Sequence, residues 1–209
     1  MLGFYNYTVV LTYIGAASGV YGIMSTLTRQ SPRIGIICLM LSGLCDMFDG
    51  AVAKTRKRTD DEKRFGIQID SLADLICFGV LPACIGYAIG LRQPWHQWIL
   101  VGYALAALIR LAYFNVMEEN RQKREDGRRT QYDGLPVTCS ALIFPFIYVL
   151  IPQFGLAYLP TAYGLTMVMT AFAFLATFKV KKFSLKGNIL LVFLVALAAI
   201  LLLARNVVI

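Results

Sequence analysis

Four aspartates stand at the facing ends of two apolar stretches: Asp46 and Asp49 close one, Asp70 and Asp74 open the next. Spacings of three and four residues put each pair on one face of its own helix. Carboxylates near lipid are costly, and four together repel one another unless something neutralises them. A divalent cation held by oxygen ligands is the obvious neutraliser, and such donors favour magnesium, calcium or manganese. Four carboxylates can share two ions, an arrangement that stabilises charge on a phosphate and on an attacking or leaving oxygen. Gly50 lets a ligand come close to the backbone, and Lys54 with the basic run after it can hold phosphate oxygens. Phosphoryl-type transfer at a membrane surface follows as a reaction class, with an aspartate as general base. The bland alternative is a cation site used for stability or ion transport, and four acids alone leave both open.

The elements that must position these acids are membrane helices. The 209 residues are 58% hydrophobic and 15% charged, and the mean hydropathy is +0.64, which excludes an ordinary soluble domain. A span needs about 20 apolar residues. Seven are expected, near Tyr5–Leu27, Ile34–Ala53, Ile67–Ile89, Trp95–Met117, Leu135–Ile151, Leu159–Phe178 and Asn188–Leu203. The fold expected is an all-α polytopic bundle, with a six-helix core over residues 1–186 and an additional C-terminal helix in 187–209. Met1 to Tyr7 lacks the basic region of a cleavable signal peptide. Five cysteines in apolar segments, with no CxxC spacing, read as buried free thiols.

Charge sets the expected orientation. Of the 20 Lys and Arg, 15 lie in the loops after the second, fourth and sixth spans, so that side is expected to be cytoplasmic and to carry the acidic site. The only histidine, His96, maps to the other side, which strengthens the case for an aspartate base. Basic residues split over three short loops, without interleaved aromatics, argue against nucleic acid and for anionic lipid heads as partners. The acids cluster at one face and the outer halves of the helices are nearly apolar, which favours an enzyme over a transporter.

The pattern Asp46-x-x-Asp49-Gly50-x-x-Ala53-Lys54, then Gly66-x-x-x-Asp70-x-x-x-Asp74, resembles the signature of the CDP-alcohol phosphatidyltransferase family. The resemblance implies transfer of a phosphatidyl group from a CDP-linked lipid to an alcohol, with release of CMP. It implies metal ligation by Asp46, Asp49, Asp70 and Asp74, with Asp74 also as base, and two Mg2+ or Mn2+ ions as cofactors. It places Thr12, Gly50, Ala53, Lys54 and Gly66 against the CDP-lipid.

Further stretches resemble the serine branch: Asp70-Ser71-Leu72-Ala73-Asp74-Leu75 through Pro82, Arg110-Leu111-Ala112-Tyr113-Phe114-Asn115-Val116, Asp133-Gly134-Leu135-Pro136, and Phe178 to Phe183. These imply CDP-diacylglycerol and L-serine as substrates. Another alcohol acceptor or an archaeal ether lipid is the alternative. Lys54 stands where the family has arginine, and the eleven residues between Lys54 and Gly66 exceed the family's usual spacing. A lysine cannot make arginine's bidentate fork.

Two polar residues outside the pattern are assigned to the acceptor: Arg110, a charge deep in an apolar segment, and Asn115 about one turn further on. Tyr5, Tyr7, Trp95, Trp98, Tyr158 and Tyr163, near span ends, read as interface anchors. Gly15, Gly19 and Gly22 permit close helix packing, either within the chain or in a homodimer.

Overall fold

The computed structural model describes residues 3–4, 6–124 and 131–181. A single 3-10 turn, Tyr7–Val9, leads into α1 (Val10–Thr28). α2 (Pro32–Val52) starts on a proline, whose fixed φ and missing N–H suit the first helical turn. α3 (Asp60–Asp74) continues through a π-helical turn, Leu75–Val80, into α4 (Leu81–Ile89). α5 (Pro94–Arg124), α6 (Ser140–Leu150) and α7 (Leu159–Leu175) follow. Two three-residue strands, β1 (Gln131–Asp133) and β2 (Lys179–Lys181), pair antiparallel with Tyr132 opposite Val180.

Among the described residues, five helical stretches are long and apolar enough to cross a membrane: Tyr7–Thr28, Pro32–Thr55, Asp60–Ile89, Pro94–Glu119 and Leu156–Leu175. The protein is therefore an integral membrane protein built from helices. The fifth expected span is a shorter apolar stretch, Val137–Gln153, with Pro145 inside α6. The seventh, Asn188–Leu203, lies outside the described residues, as do the whole of 187–209 and the Arg128–Arg129 end of the second basic loop.

The third expected span begins seven residues early, at Asp60 instead of Ile67. Thr59 Oγ1 accepts from the Glu62 N–H at 3.2 Å, and Glu62 returns by accepting from the Thr59 N–H at 2.9 Å. This reciprocal cap starts the helix within a charged run, and Asp60, Asp61 and Glu62 suit the positive end of its dipole.

Small residues bring α1 against its neighbours. A Cβ on Gly15 would meet Cys45 at 3.2 Å, one on Gly19 would meet the Cys77 sulfur at 2.6 Å, and one on Gly22 would meet Cys38 at 2.7 Å. All three glycines are thus used within the chain, and their reading as a homodimer surface gains no support. The five cysteines are free thiols.

The core's aromatic centre joins α5, α6 and α7, with ring centroids 5.5 Å apart for Tyr103–Phe144 and 4.8 Å for Phe144–Tyr163. Pro82 has no N–H to give the Phe78 carbonyl four residues earlier. The Tyr103 hydroxyl donates to that carbonyl at 2.7 Å. Tyr163, expected at the interface, is instead fully buried and donates to the Pro82 carbonyl at 3.1 Å. Its hydroxyl finds a protein acceptor, so the ring has no need of the wet interface. Trp98 is 76% exposed, as an anchor should be.

Candidate active site

α2 and α3 bring their acidic ends together. Ligand oxygens of Asp46, Asp49 and Asp70 all lie within 4.8 Å of one another. Divalent ions take oxygen ligands at about 2.0–2.6 Å, so oxygens on opposite sides of an ion stand about 4–5 Å apart. The three carboxylates therefore fit a divalent cation. Asp74, one turn beyond Asp70, borders a small hollow of about 10 Å³ together with the other three. Thr12 of α1 donates from Oγ1 to Asp49 Oδ2 at 3.2 Å.

Beneath this cluster the Gly15 carbonyl accepts from both Ser42 Oγ (2.9 Å) and Cys77 Sγ (3.3 Å). One backbone group on α1 thereby fixes α2 next to Asp46 and the π turn next to Asp74.

A second, larger cavity of about 220 Å³ opens on two of these carboxylates. Its floor is Asp49, Asp70 and Thr12. Gly50 of α2, Ala53 just beyond that helix and Gly66 of α3 form its sides, and a Cβ on Gly50 would meet nothing within 4 Å. Over it lie Thr8 and the basic segment that joins α2 to α3. The N-terminal residues are fastened to that segment: Asn6 Nδ2 donates to Glu62 Oε1 at 3.2 Å, Tyr7 and Thr55 share a hydroxyl contact at 2.9 Å, and Phe4 packs edge-on to Phe65.

The cavity thus joins hard-oxygen ligands to cations that suit an anionic substrate, at the end of two membrane helices. A family model described as CDP-alcohol phosphatidyltransferase matches residues 5–209. The chain belongs to the CDP-alcohol phosphatidyltransferase family.

Among its relatives, the CDP-diacylglycerol–serine O-phosphatidyltransferase of Saccharomyces cerevisiae is 37% identical over 146 residues, 66% of this chain and 52% of the relative. The protein of the same name from Mycobacterium tuberculosis H37Rv is 30% identical over 151 residues, 69% of this chain and 49% of the relative. The archaetidylserine synthase of Methanothermobacter thermautotrophicus is 32% identical over 142 residues, 67% of this chain and 56% of the relative. The chain spans about half the length of the curated relatives it matches.

The family pattern can be compared residue by residue with this geometry. Thr12, Gly50, Ala53 and Gly66 all line the larger cavity. Lys54 does not; it is exposed on the 3-10 turn Ala53–Thr55. The cations that do line the cavity are Arg58 and Lys63. The sequence offered Arg58 only as part of the basic run and did not single it out, because an irregular segment has no period from which to read direction.

Asn115 accepts from Ser71 Oγ at 2.6 Å, which ties α5 to α3 between Asp70 and Asp74. Arg110 is 6% exposed. It donates from Nε to the Leu135 carbonyl at 3.2 Å and from Nη2 to that of Gly134 at 3.5 Å. Gly134 has a φ of +72°, and its N–H donates to the Phe178 carbonyl at 2.6 Å. Arg110 thus secures the tight turn that leads into α6. His96 lies nineteen residues before Asn115 on α5, roughly 28 Å away along the helix.

Proposed function

We propose that this protein transfers a phosphatidyl group from CDP-diacylglycerol to L-serine, giving phosphatidylserine and CMP. The observation that carries the reading is the convergence of Asp46, Asp49 and Asp70 beside a cavity lined by Thr12, Gly50, Ala53 and Gly66, four of the five positions that the resemblance sets against the CDP-lipid. Serine as acceptor is supported by the names of the relatives, whether their lipid is a diacylglycerol or an archaeal ether.

Asp46, Asp49, Asp70 and Asp74 would hold two divalent ions, Mg2+ or Mn2+. When bound, such ions offset charge on the diphosphate and on departing CMP. The chain's own residues do the rest. Thr12 fixes the Asp49 carboxylate. Gly50, Ala53 and Gly66 leave room for the nucleotide. Asp74 takes the proton from the serine hydroxyl. The serine oxygen forms a bond to the lipid-side phosphorus, and the bond from that phosphorus to the CMP oxygen breaks. Asn115 offers its amide to the serine, and Arg110 sets the turn beside it. The diacylglycerol tails stay in lipid between helices. The basic residues next to the site support an active site on the cytoplasmic face.

CMP release by the purified protein, with CDP-diacylglycerol and Mg2+ or Mn2+, with and without L-serine, tests this directly. Serine-dependent release that chelation abolishes is expected. Release with glycerol 3-phosphate or inositol phosphate instead would keep the family and refute the acceptor.

A further inference from the structure

The segment between Lys54 and Gly66 carries the chain's clearest departure from its family pattern, in length and in the lysine that opens it. Its cations have different fates. Arg56 pairs with Glu62 at 3.4 Å, and Lys63 with Asp60 at 2.9 Å. Lys54 and Lys57 point to solvent. Arg58 alone of the six cations from Lys54 to Arg64 is half-buried. It lines the cavity, and among the described residues it forms an ion pair with neither Asp49 nor Asp70.

Local chemistry explains the placement. The Glu62 carboxylate accepts from the Thr59 N–H, from Asn6 and from Arg56. The chain on both sides of Arg58 is therefore folded back onto the first turn of α3. The Arg58 guanidinium comes to rest against Gly66, where an added Cβ would stand 3.0 Å from Nη1. Gly66 leaves the space that the guanidinium takes. A planar fork thus stands over a cavity whose floor carries two of the carboxylates that fit a divalent ion. An anion seated there faces both, and a diphosphate matches that pairing because the fork binds two of its oxygens at once.

We propose that Arg58 grips the diphosphate of the nucleotide-linked lipid in this chain, restoring the bidentate contact that Lys54 cannot make. The inference rests on the proposed function, since a diphosphate is expected only for a CDP-linked substrate. Arg58 is a positioning and binding residue here; the reacting atoms are the acceptor oxygen, the lipid-side phosphorus and the CMP oxygen, with Asp74 taking the proton.

The test uses the full chain purified in detergent, titrated with CDP in Mg2+, beside steady-state kinetics on CDP-diacylglycerol. Arg58→Gln is expected to weaken CDP binding about tenfold or more and to raise KM for the lipid in parallel, with kcat and KM for serine little changed. Arg58→Lys keeps the charge without the fork and falls between. Lys54→Gln loses less than Arg58→Gln, and Lys57→Gln, on the same segment, matches the parent. Melting temperatures separate lost contact from lost fold. CDP binding by Arg58→Gln within about twofold of the parent, or a larger loss in Lys54→Gln, overturns the assignment alone. Equal losses in Arg58→Lys and Arg58→Gln with a lowered melting temperature in both overturn it too, by assigning a packing role. A parent that binds no CDP overturns the proposed function and this inference with it.

Discussion

Thr12 Oγ1 lies 3.2 Å from Asp49 Oδ2, so a hydroxyl on α1 orients a carboxylate on α2. That single contact couples the first membrane helix to the cluster of ligand oxygens. Groups that orient metal ligands typically matter about 10–100-fold for metal affinity. Thr12→Val, which keeps the shape and removes the donor, is expected to raise the Mg2+ or Mn2+ needed for half-maximal CMP release by about tenfold. An unchanged metal titration would remove Thr12 from this role.

Asp74 borders the small hollow but does not belong to the tight oxygen triad. That separation suits a group whose work is to accept a proton. Asp74→Asn is expected to lower turnover about 10²–10⁴-fold, with a melting temperature close to the parent's. Near-normal turnover in the folded variant would sink the assigned base.

The Tyr103 hydroxyl donates to the Phe78 carbonyl, for which Pro82 supplies no N–H, and it also meets Ser140 Oγ at 2.8 Å. Tyr103→Phe strands a carbonyl in an environment with no water to satisfy it. A loss of about 1–3 kcal/mol is expected, read as a lower detergent or denaturant midpoint, with KM for CDP-diacylglycerol unaffected.

Gly19 packs against Cys77, with the sulfur 2.6 Å and Cα 3.4 Å from where a Cβ would stand. Gly19→Ala forces α1 from the π turn and should cost about 1–3 kcal/mol. The double variant with Cys77→Ala recovers part of it if the sulfur is the obstacle; no recovery would place the conflict in the backbone.

What could be read in the chain, and what could not, follows from the physics of each signal. The gathering of Asp46, Asp49 and Asp70 was legible because acids at apolar borders are rare and local spacing fixes their faces. Most spans were legible from hydropathy, and the helical stretches Tyr7–Thr28 and Pro32–Thr55 lie close to expectation. The start of α3 was written in Thr59 and Glu62, but a hydropathy window passes over a charged first turn. The pairing of Gln131–Asp133 with Lys179–Lys181 joins two three-residue pieces far apart in sequence, too short for any alternation to show. Tyr163 was misplaced because a tyrosine near a span end looks the same whether its hydroxyl meets water or the Pro82 carbonyl.

Asp60–Ile89 forms one continuous helical rod of 30 residues, about 45 Å long against a hydrocarbon layer of about 30 Å. If its charged Asp60 end is the end that projects, Asp70, ten residues in and about 15 Å from the tip, falls at the edge of the hydrocarbon layer. Under the proposed reaction, the phosphorus then keeps one depth from substrate to product. The lipid exchanges sideways within a single leaflet, and its tails never leave the bilayer. Turnover then follows the mole fraction of substrate in the surface: diluting a fixed amount of it with inert lipid slows the reaction, and diluting the whole suspension with buffer of the same serine and metal concentration does not.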